Sequence, residues 1–499
     1  MTKSTKKVSL FGLILMIFTA VFGFGNAPVA FYRMGYGAII WYILAALFFF
    51  IPYALMMAEY GSTFKHERGG MYTWMEKSVG PKYAFISTFM WYTSYVIWMV
   101  SVAAKVFITL STTYSGSDRT NYWSLFGLDS TQTVGILSIL FIIVVTFFAA
   151  RGLDKITKIT SVGGIAVTFL NVVLIVVSLI ILVFNKGHMA QPIEGMKSFV
   201  DSPNPGFNSP LAIISFLVFA IFAYGGLEAV GGLVDKTENA EKNFPKGVIL
   251  SAIIISIGYA LTILLWGVST NWDSVLSGDN VNLGNITYVL MNNLGYELGL
   301  AINTSTDTAL AIGHGFARFT GLSMFLAYLG AFFTLIYSPL KTIIEGTPKG
   351  LWPDKMVEEN DKGMPAFAMW IQCVIVVVIL ALVSFGGKDA QSFYNVLTLM
   401  VNVSMTIPYL FLTGAFPAFK QKKDIEHSIN IFKTKTQYMV STIIVMVVIG
   451  FANIFTIIEP LFREDGPVWG DTLWQIAGPI IFSIIALLLF KRYEKNKED

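Results

Sequence analysis

Long apolar runs dominate the pattern of this chain. The stretch VTFLNVVLIVVSLIILVF, residues 167–184, carries no charged residue at all. A helix that crosses the hydrocarbon core of a bilayer needs about 20 mostly apolar residues. Twelve stretches meet that description, at 8–33, 37–61, 83–110, 131–150, 158–184, 209–233, 247–269, 309–338, 366–384, 391–415, 437–459 and 473–490. A membrane β-barrel would instead show segments of about ten residues with alternating polarity. The runs therefore predict an all-α polytopic membrane protein with 12 transmembrane helices.

Two of these spans are interrupted in the middle. The first reads LILMIFTAVFGFGNAPVAFY and gathers Gly23, Gly25, Asn26 and Pro28 within a few residues. The sixth reads FLVFAIFAYGGLEAVGGLV, with Gly225, Gly226, Glu228, Gly231 and Gly232. Glycine costs a helix about 1 kcal/mol per position relative to alanine, and proline more. One glycine pair is explained by close helix packing. Two clusters at membrane depth are better explained by backbone that faces a cavity. Paired interruptions in corresponding halves point to a transporter's substrate site near the midplane. Spans 8–184 and 209–415 then form two units of five helices within a single transmembrane domain. Because five is odd, the second is inverted, and 437–490 supplies two extra helices.

Charge fixes the expected orientation. Of the 34 Lys and Arg residues, the loops placed outside hold only Arg119, Lys186, Lys197, Lys388 and Arg463. Arg33, Lys105 and Arg318 lie within spans, and the rest fall in the alternate, inside segments. By the positive-inside rule both termini are cytoplasmic. Lys3, Lys6 and Lys7 before an apolar run imitate a signal peptide. Removing that run would spoil the alternation, so it reads as span one.

Composition agrees and narrows the functional classes. Hydrophobic residues make up 55% of the 499, charged residues 13%, and mean hydropathy is +0.65. So much apolar surface excludes a soluble enzyme, a disordered chain and a secreted disulfide scaffold. The single cysteine, Cys373, cannot form an internal disulfide. His66, His188, His314 and His427 are scattered, no nucleophile–base pair or metal cluster is evident, and no GxxxxGK[ST] loop is present. The chain reads as no enzyme, with no cofactor, no metal site and no nucleic-acid partner.

Three ordered segments carry a family resemblance. They are AEYGSTFKHERGGMYTWMEKSVGPKYAF from Ala58, GLEAVGGLVDKTENAEKNFPKG from Gly226, and SPLKTIIEGTPKGLWPDKMVEENDKGMP after span eight. With them the chain resembles the amino acid–polyamine–organocation transporter superfamily. TAVFGFGNAPVAFYRMGYGAI looks most like the glutamate/GABA-antiporter branch. The resemblance implies a five-plus-five inverted repeat with unwound first and sixth helices, and a small amino acid as substrate. Some members of the branch carry a long C-terminal plug, and no plug is expected after LLLFKRYEKNKED. Others place a lysine deep in span five, where this chain has Thr168 and Asn171, with Lys155 and Lys158 only at the cytoplasmic start. Relatives that use sodium take hydroxyls from span eight, for which Thr320 and Ser323 are available; the branch favours protons and exchange, so sodium independence is expected.

The breaks suggest how an amino acid would be held. Half-helix N-termini present unpaired N–H groups to an anion, so Gly23, Phe24, Gly25 and Asn26 are expected to bind the carboxylate. Freed carbonyls around Phe222, Ala223 and Tyr224 would accept from the ammonium, with Gly225 and Gly226 allowing close approach. Glu228 follows the second break inside an uncharged run. A charge at that depth costs roughly 2.5–3.5 kcal/mol even on lenient scales. It either carries the coupled proton or pairs structurally with Arg318, Lys105 or a backbone donor. Trp98, Lys105 and Arg318 are candidate gate or substrate contacts, and Phe24, Phe222 and Tyr224 are candidate aromatic gates. Glu59 reads as a structural or gating contact, and His314 as a packing residue.

The expected function is secondary active transport of amino acids across the bacterial plasma membrane, by exchange or proton coupling. The alternative is an amino acid sensor or channel that shares the transporter fold.

Overall fold

The computed structural model describes residues 8–64, 70–152, 156–226, 237–387, 390–463 and 466–498. Among these the structure is helical throughout, apart from one isolated bridge between Val8 and Thr237. Ten helices are long and apolar enough to cross a membrane. They do not include the first expected span, which is divided at its glycine cluster, or the sixth, whose helix ends at Ala223 just before its own cluster.

The first span is α1 (Leu10–Val21) and α2 (Asn26–Met34), joined by a short non-helical link. Ser9 caps α1 through its hydroxyl, which accepts from the Gly12 amide at 3.2 Å. The second span, α3 (Gly37–Thr63), is continuous. Then come α4 (Met71–Ser78), α5 (Pro81–Ser115), α6 (Ser130–Ala149) and α7 (Ile156–Phe184). Asp129 and Gln132 form a reciprocal capping box that fixes the start of α6. The sixth span begins with α8 (Pro210–Ala223), started by the Ser209 cap and Pro210, and ends in a turn at Tyr224–Gly226. Gly226 has φ of 106°, a conformation open to glycine and costly for any residue with a Cβ.

The remaining helices are α9 (Ala240–Ser269), α10 (Ile286–Ala301), α11 (Thr306–Gly346), α12 (Ala366–Ser384), α13 (Ala390–Gln421), α14 (Lys435–Ile458) and α15 (Trp469–Glu498). Helix α10 lies in what the sequence offered as a long outside loop. It packs along α11 and touches α2, so that segment lines the protein interior.

The core is layered around α5, α11 and α13. α5 packs on α11 and α13, and α11 on α7 and α10. The central windows of α5 and α13 are 72% and 78% buried, whereas that of α7 is only 28% buried. Ile165, Phe169, Val172, Ile175 and Val176 of α7 are exposed, as an apolar face turned toward lipid requires. Thr168 is exposed on that face and bonds back to the Gly164 carbonyl at 2.9 Å.

One polar contact ties the expected cytoplasmic end together. Glu59, fully buried at the end of α3, accepts from the Lys420 ammonium at 2.7 Å. Its other oxygen accepts from the backbone amides of Ile431 and Phe432 at 2.6 and 2.7 Å. The segment between α13 and α14 is thereby folded back on α3. Glu59 is the structural contact the sequence suggested.

Candidate functional site

The two breaks meet at one hydroxyl. Tyr259 of α9 is buried, and its Oη accepts from the Gly23 amide and from Asn26 Nδ2, each at 3.1 Å. The same oxygen lies 2.9 Å from the Ala223 carbonyl and 3.2 Å from the Val21 carbonyl. A phenol has one proton, so it donates to one of these two carbonyls at a time. Tyr259 therefore couples the end of α1, the start of α2 and the end of α8. Its ring is held by Phe22, Tyr42 and Tyr224, with centroids 4.6, 4.8 and 5.6 Å away.

This arrangement leaves donors at the start of α2. The Asn26 amide closes a turn onto the Gly23 carbonyl at 3.1 Å. Among the described residues, the Phe24 and Gly25 amides have no acceptor. They sit at the positive end of α2, where an anion is stabilised. A Cβ built on Gly25 would lie 3.9 Å from Thr287 Oγ1 and 4.0 Å from Met324 Cε, ordinary contact distances that a methyl would tolerate. A Cβ on Gly23 would meet Asn26 Nδ2 at 2.9 Å, and one on Gly225 would clash with the Tyr409 hydroxyl. These glycines differ: Gly23 and Gly225 permit close packing, and Gly25 is not closely packed.

On the sixth-span side the carbonyls are partly taken. The Phe222 carbonyl accepts from the Gly225 amide at 2.9 Å, and the Ala223 carbonyl is bonded by Tyr259. Each keeps a second lone pair for an ammonium. Tyr224 is buried, donates to the Tyr42 carbonyl at 3.1 Å and stacks on Phe50 at 4.6 Å. Phe24 is buried edge-on against Trp266, with centroids 6.2 Å apart. Glu228 lies outside the described residues.

The other candidates separate. Arg318 is exposed on α11, beside exposed Phe319, and is not brought to the breaks. A long cationic side chain on a lipid-facing or outer surface keeps its charge in water or headgroups. Trp98 packs against Phe332 of α11 at 5.4 Å, within the scaffold. Lys105 is partly buried on α5, where Ala104 and Val106 beside it are fully buried. His314 is exposed beside Gly116.

Two further residues emerge only from the structure. Tyr259 is a lone tyrosine in the apolar stretch LSAIIISIGYALTILLW. Its signal was that a polar tip at membrane depth needs a partner. Arg33 was visible as a charge inside span one; the structure buries it to 4% exposure near the outer end of α2. On the sodium question, Thr320 turns its hydroxyl to the Phe316 carbonyl of its own helix at 2.8 Å, and the side chains nearest a Gly25 Cβ are the Thr287 hydroxyl and the Met324 methyl. Gly163 of α7 packs so tightly on the Ala327 backbone that a Cβ would lie 2.8 Å away, leaving no room there for a lysine.

The chain matches the amino acid permease family over residues 8–486. It belongs to that family. It is 60% identical to the inner membrane transporter YjeM of Salmonella typhimurium over 496 residues, covering 99% of this chain and 98% of the relative. The aspartate/glutamate permease AcaP of Lactococcus lactis is 23% identical, with 97% and 94% covered. The glutamate/gamma-aminobutyrate antiporter of Lactococcus lactis is 21% identical, with 99% and 92% covered. The amino acid permease is thus a multi-pass membrane protein of the superfamily to which its sequence motifs pointed.

Proposed function

We propose that this permease moves amino acids across the bacterial cell membrane by secondary active transport, with alternating access around the Tyr259 junction. The observation that carries the reading is the meeting of two broken helices at one hydroxyl, beside two unclaimed amides at the start of α2. A substrate carboxylate would bind the Phe24 and Gly25 amides. Its ammonium would approach the carbonyls of Phe222, Ala223 and Tyr224. Such a ligand touches both breaks at once, so it has a differential affinity for arrangements that bring them together or apart. That difference is what allows a ligand to shift a conformational equilibrium.

The proposal includes twelve spans, a five-plus-five inverted repeat and cytoplasmic termini. Exchange or proton coupling, without sodium, is the mode; the names of the Lactococcus relatives support amino acid cargo and antiport. Glu228 is assigned the coupled proton.

Reconstituted proteoliposomes test the reading. Uptake of radiolabelled amino acids is measured with and without unlabelled amino acid inside, in sodium and in choline buffers. Accumulation stimulated by internal amino acid and indifferent to sodium is expected. No uptake of any amino acid under a proton gradient or under exchange would defeat the proposal.

A further inference from the structure

Three charged residues among those described are more than nine-tenths buried: Arg33, Glu59 and Asp471. Glu59 is paired with Lys420 at 2.7 Å, and Asp471 with Arg463 at 3.1 Å. Arg33 has no such partner. Its guanidinium lies over two aromatic faces, 5.6 Å from the Phe207 centroid and 5.3 Å from that of Phe219. Cation–π contacts to a desolvated guanidinium recover only part of the cost of burying an unpaired ion. The nearby carboxylate that bears on Arg33 is Glu459, and both its oxygens are already engaged by Arg463, at 3.1 and 3.0 Å.

A second cation faces the same region. Lys105 of α5 forms neither a hydrogen bond nor an ion pair among the described residues, and the charge acting on it is that of Arg33, of the same sign. Among the described residues, the group of Arg33, Lys105, Arg463, Glu459 and Asp471 thus carries three positive charges against two negative ones. Lys105 is partly exposed, between the fully buried Ala104 and Val106.

The two cations stand close to the Tyr259 junction. Phe219, under the Arg33 guanidinium, precedes Ala223 by one helical turn, about 6 Å. On the other wall, Ile108 lies one turn beyond Lys105 and touches Gly284, and Thr287, one turn beyond Gly284, faces Gly25. An amino acid held by the Phe24 and Gly25 amides would therefore point its side chain outward, between α2 and α5.

We propose that Arg33 and Lys105 form an anion site that takes the side-chain carboxylate of an acidic amino acid, making this pair the specificity determinant of the permease. The inference rests on the amino acid transport reading above. The planar guanidinium matches a carboxylate with two parallel bonds, and the lysine adds a point charge from the facing helix. A free inorganic anion shares the chemistry, and the test separates the two.

Purified full-length protein is titrated with L-aspartate, L-glutamate, L-asparagine, L-glutamine and, separately, chloride, with binding read by calorimetry. One of the acidic amino acids should bind at least tenfold tighter than its amide. Lys105→Met should remove at least that factor for the acid and bring acid and amide close to parity. Arg33→Lys, which keeps the charge and loses the fork, should fall between wild type and Lys105→Met. Should Arg33→Lys fold poorly, Lys105→Met carries the test alone. Equal or better binding of the amides to wild type overturns the inference and leaves amino acid transport standing. Chloride binding that Lys105→Met abolishes, with the amino acid preference unchanged, makes the occupant an inorganic ion and also overturns it. Failure of all four amino acids to bind overturns the inference, while the uptake experiment above decides the transport reading.

Discussion

At the scale of single residues, Tyr259 and Gly25 have separable roles. Tyr259→Phe removes a hydroxyl that satisfies the Gly23 amide, the Asn26 amide and one carbonyl. Each buried group left unpaired costs about 1–3 kcal/mol. The variant should insert normally and lose roughly ten- to a hundredfold in substrate affinity, because the junction no longer holds the α2 amides in place. Unchanged affinity in an equilibrium binding assay would show that the hydroxyl only supports the fold. Gly25→Ala makes the complementary test. Its Cβ meets only ordinary contacts at 3.9 and 4.0 Å, so the melting temperature should stay within a few degrees of wild type. Binding should nevertheless weaken, because the methyl occupies the ligand's approach. Gly225→Ala, whose Cβ clashes with Tyr409, should instead lower the melting temperature itself.

At the scale of elements, the Glu59 contact joins α3, α13 and the segment between α13 and α14. Removing one partner of a buried pair costs about 3–5 kcal/mol, because it strands the other charge. Lys420→Met should therefore cost more stability than the double change Glu59→Gln with Lys420→Met. Thermal unfolding of the wild type and the two variants in detergent measures the difference, and equal losses would show that the pair is not coupled. His427 adds a pH dependence to the same segment. Its ring stands edge-on against Phe419 at 4.6 Å, and burial together with the Lys420 charge holds its pKa below the ordinary value. The unfolded value is about 6.5. Its contribution to stability is therefore present above that pH and lost as pH falls through the lowered folded value. Glu59 and Lys420 are the charged groups facing this segment, and they remain paired to each other. Between pH 7.5 and 5.5 the wild type should lose more melting temperature than His427→Leu; parallel curves would remove His427 from the account.

At the scale of the whole molecule, the open question of mechanism is what drives transport. If Glu228 carries the proton, Glu228→Gln imitates the protonated form at every pH. It should keep substrate binding and flatten the pH dependence of transport between about pH 5 and 8. A wild-type pH profile in that variant would make the residue structural.

Much of the architecture was legible in the chain itself. Hydrocarbon demands length and apolarity, so the spans could be counted by reading runs. Glycines in helices are costly, so their clusters marked the divisions at Gly23–Asn26 and Gly225–Gly226. Charge bias expresses the energetics of insertion, so it suggested an orientation. These are local or summed properties, and sequence carries them directly. The tertiary structure decided what depends on which helices meet. It turned Arg318 outward and Arg33 inward, though both read alike as charges within spans. It showed that Phe222 and Ala223 already have partners, and that Gly25, unlike Gly23 and Gly225, has room for a Cβ. Above all it brought Tyr259 to both breaks across more than two hundred residues of chain. The apolar pattern around Tyr259 fixes only that its hydroxyl must find partners in the membrane; the packing of α9 against α1 and α8 determines that those partners are the ends of two broken helices.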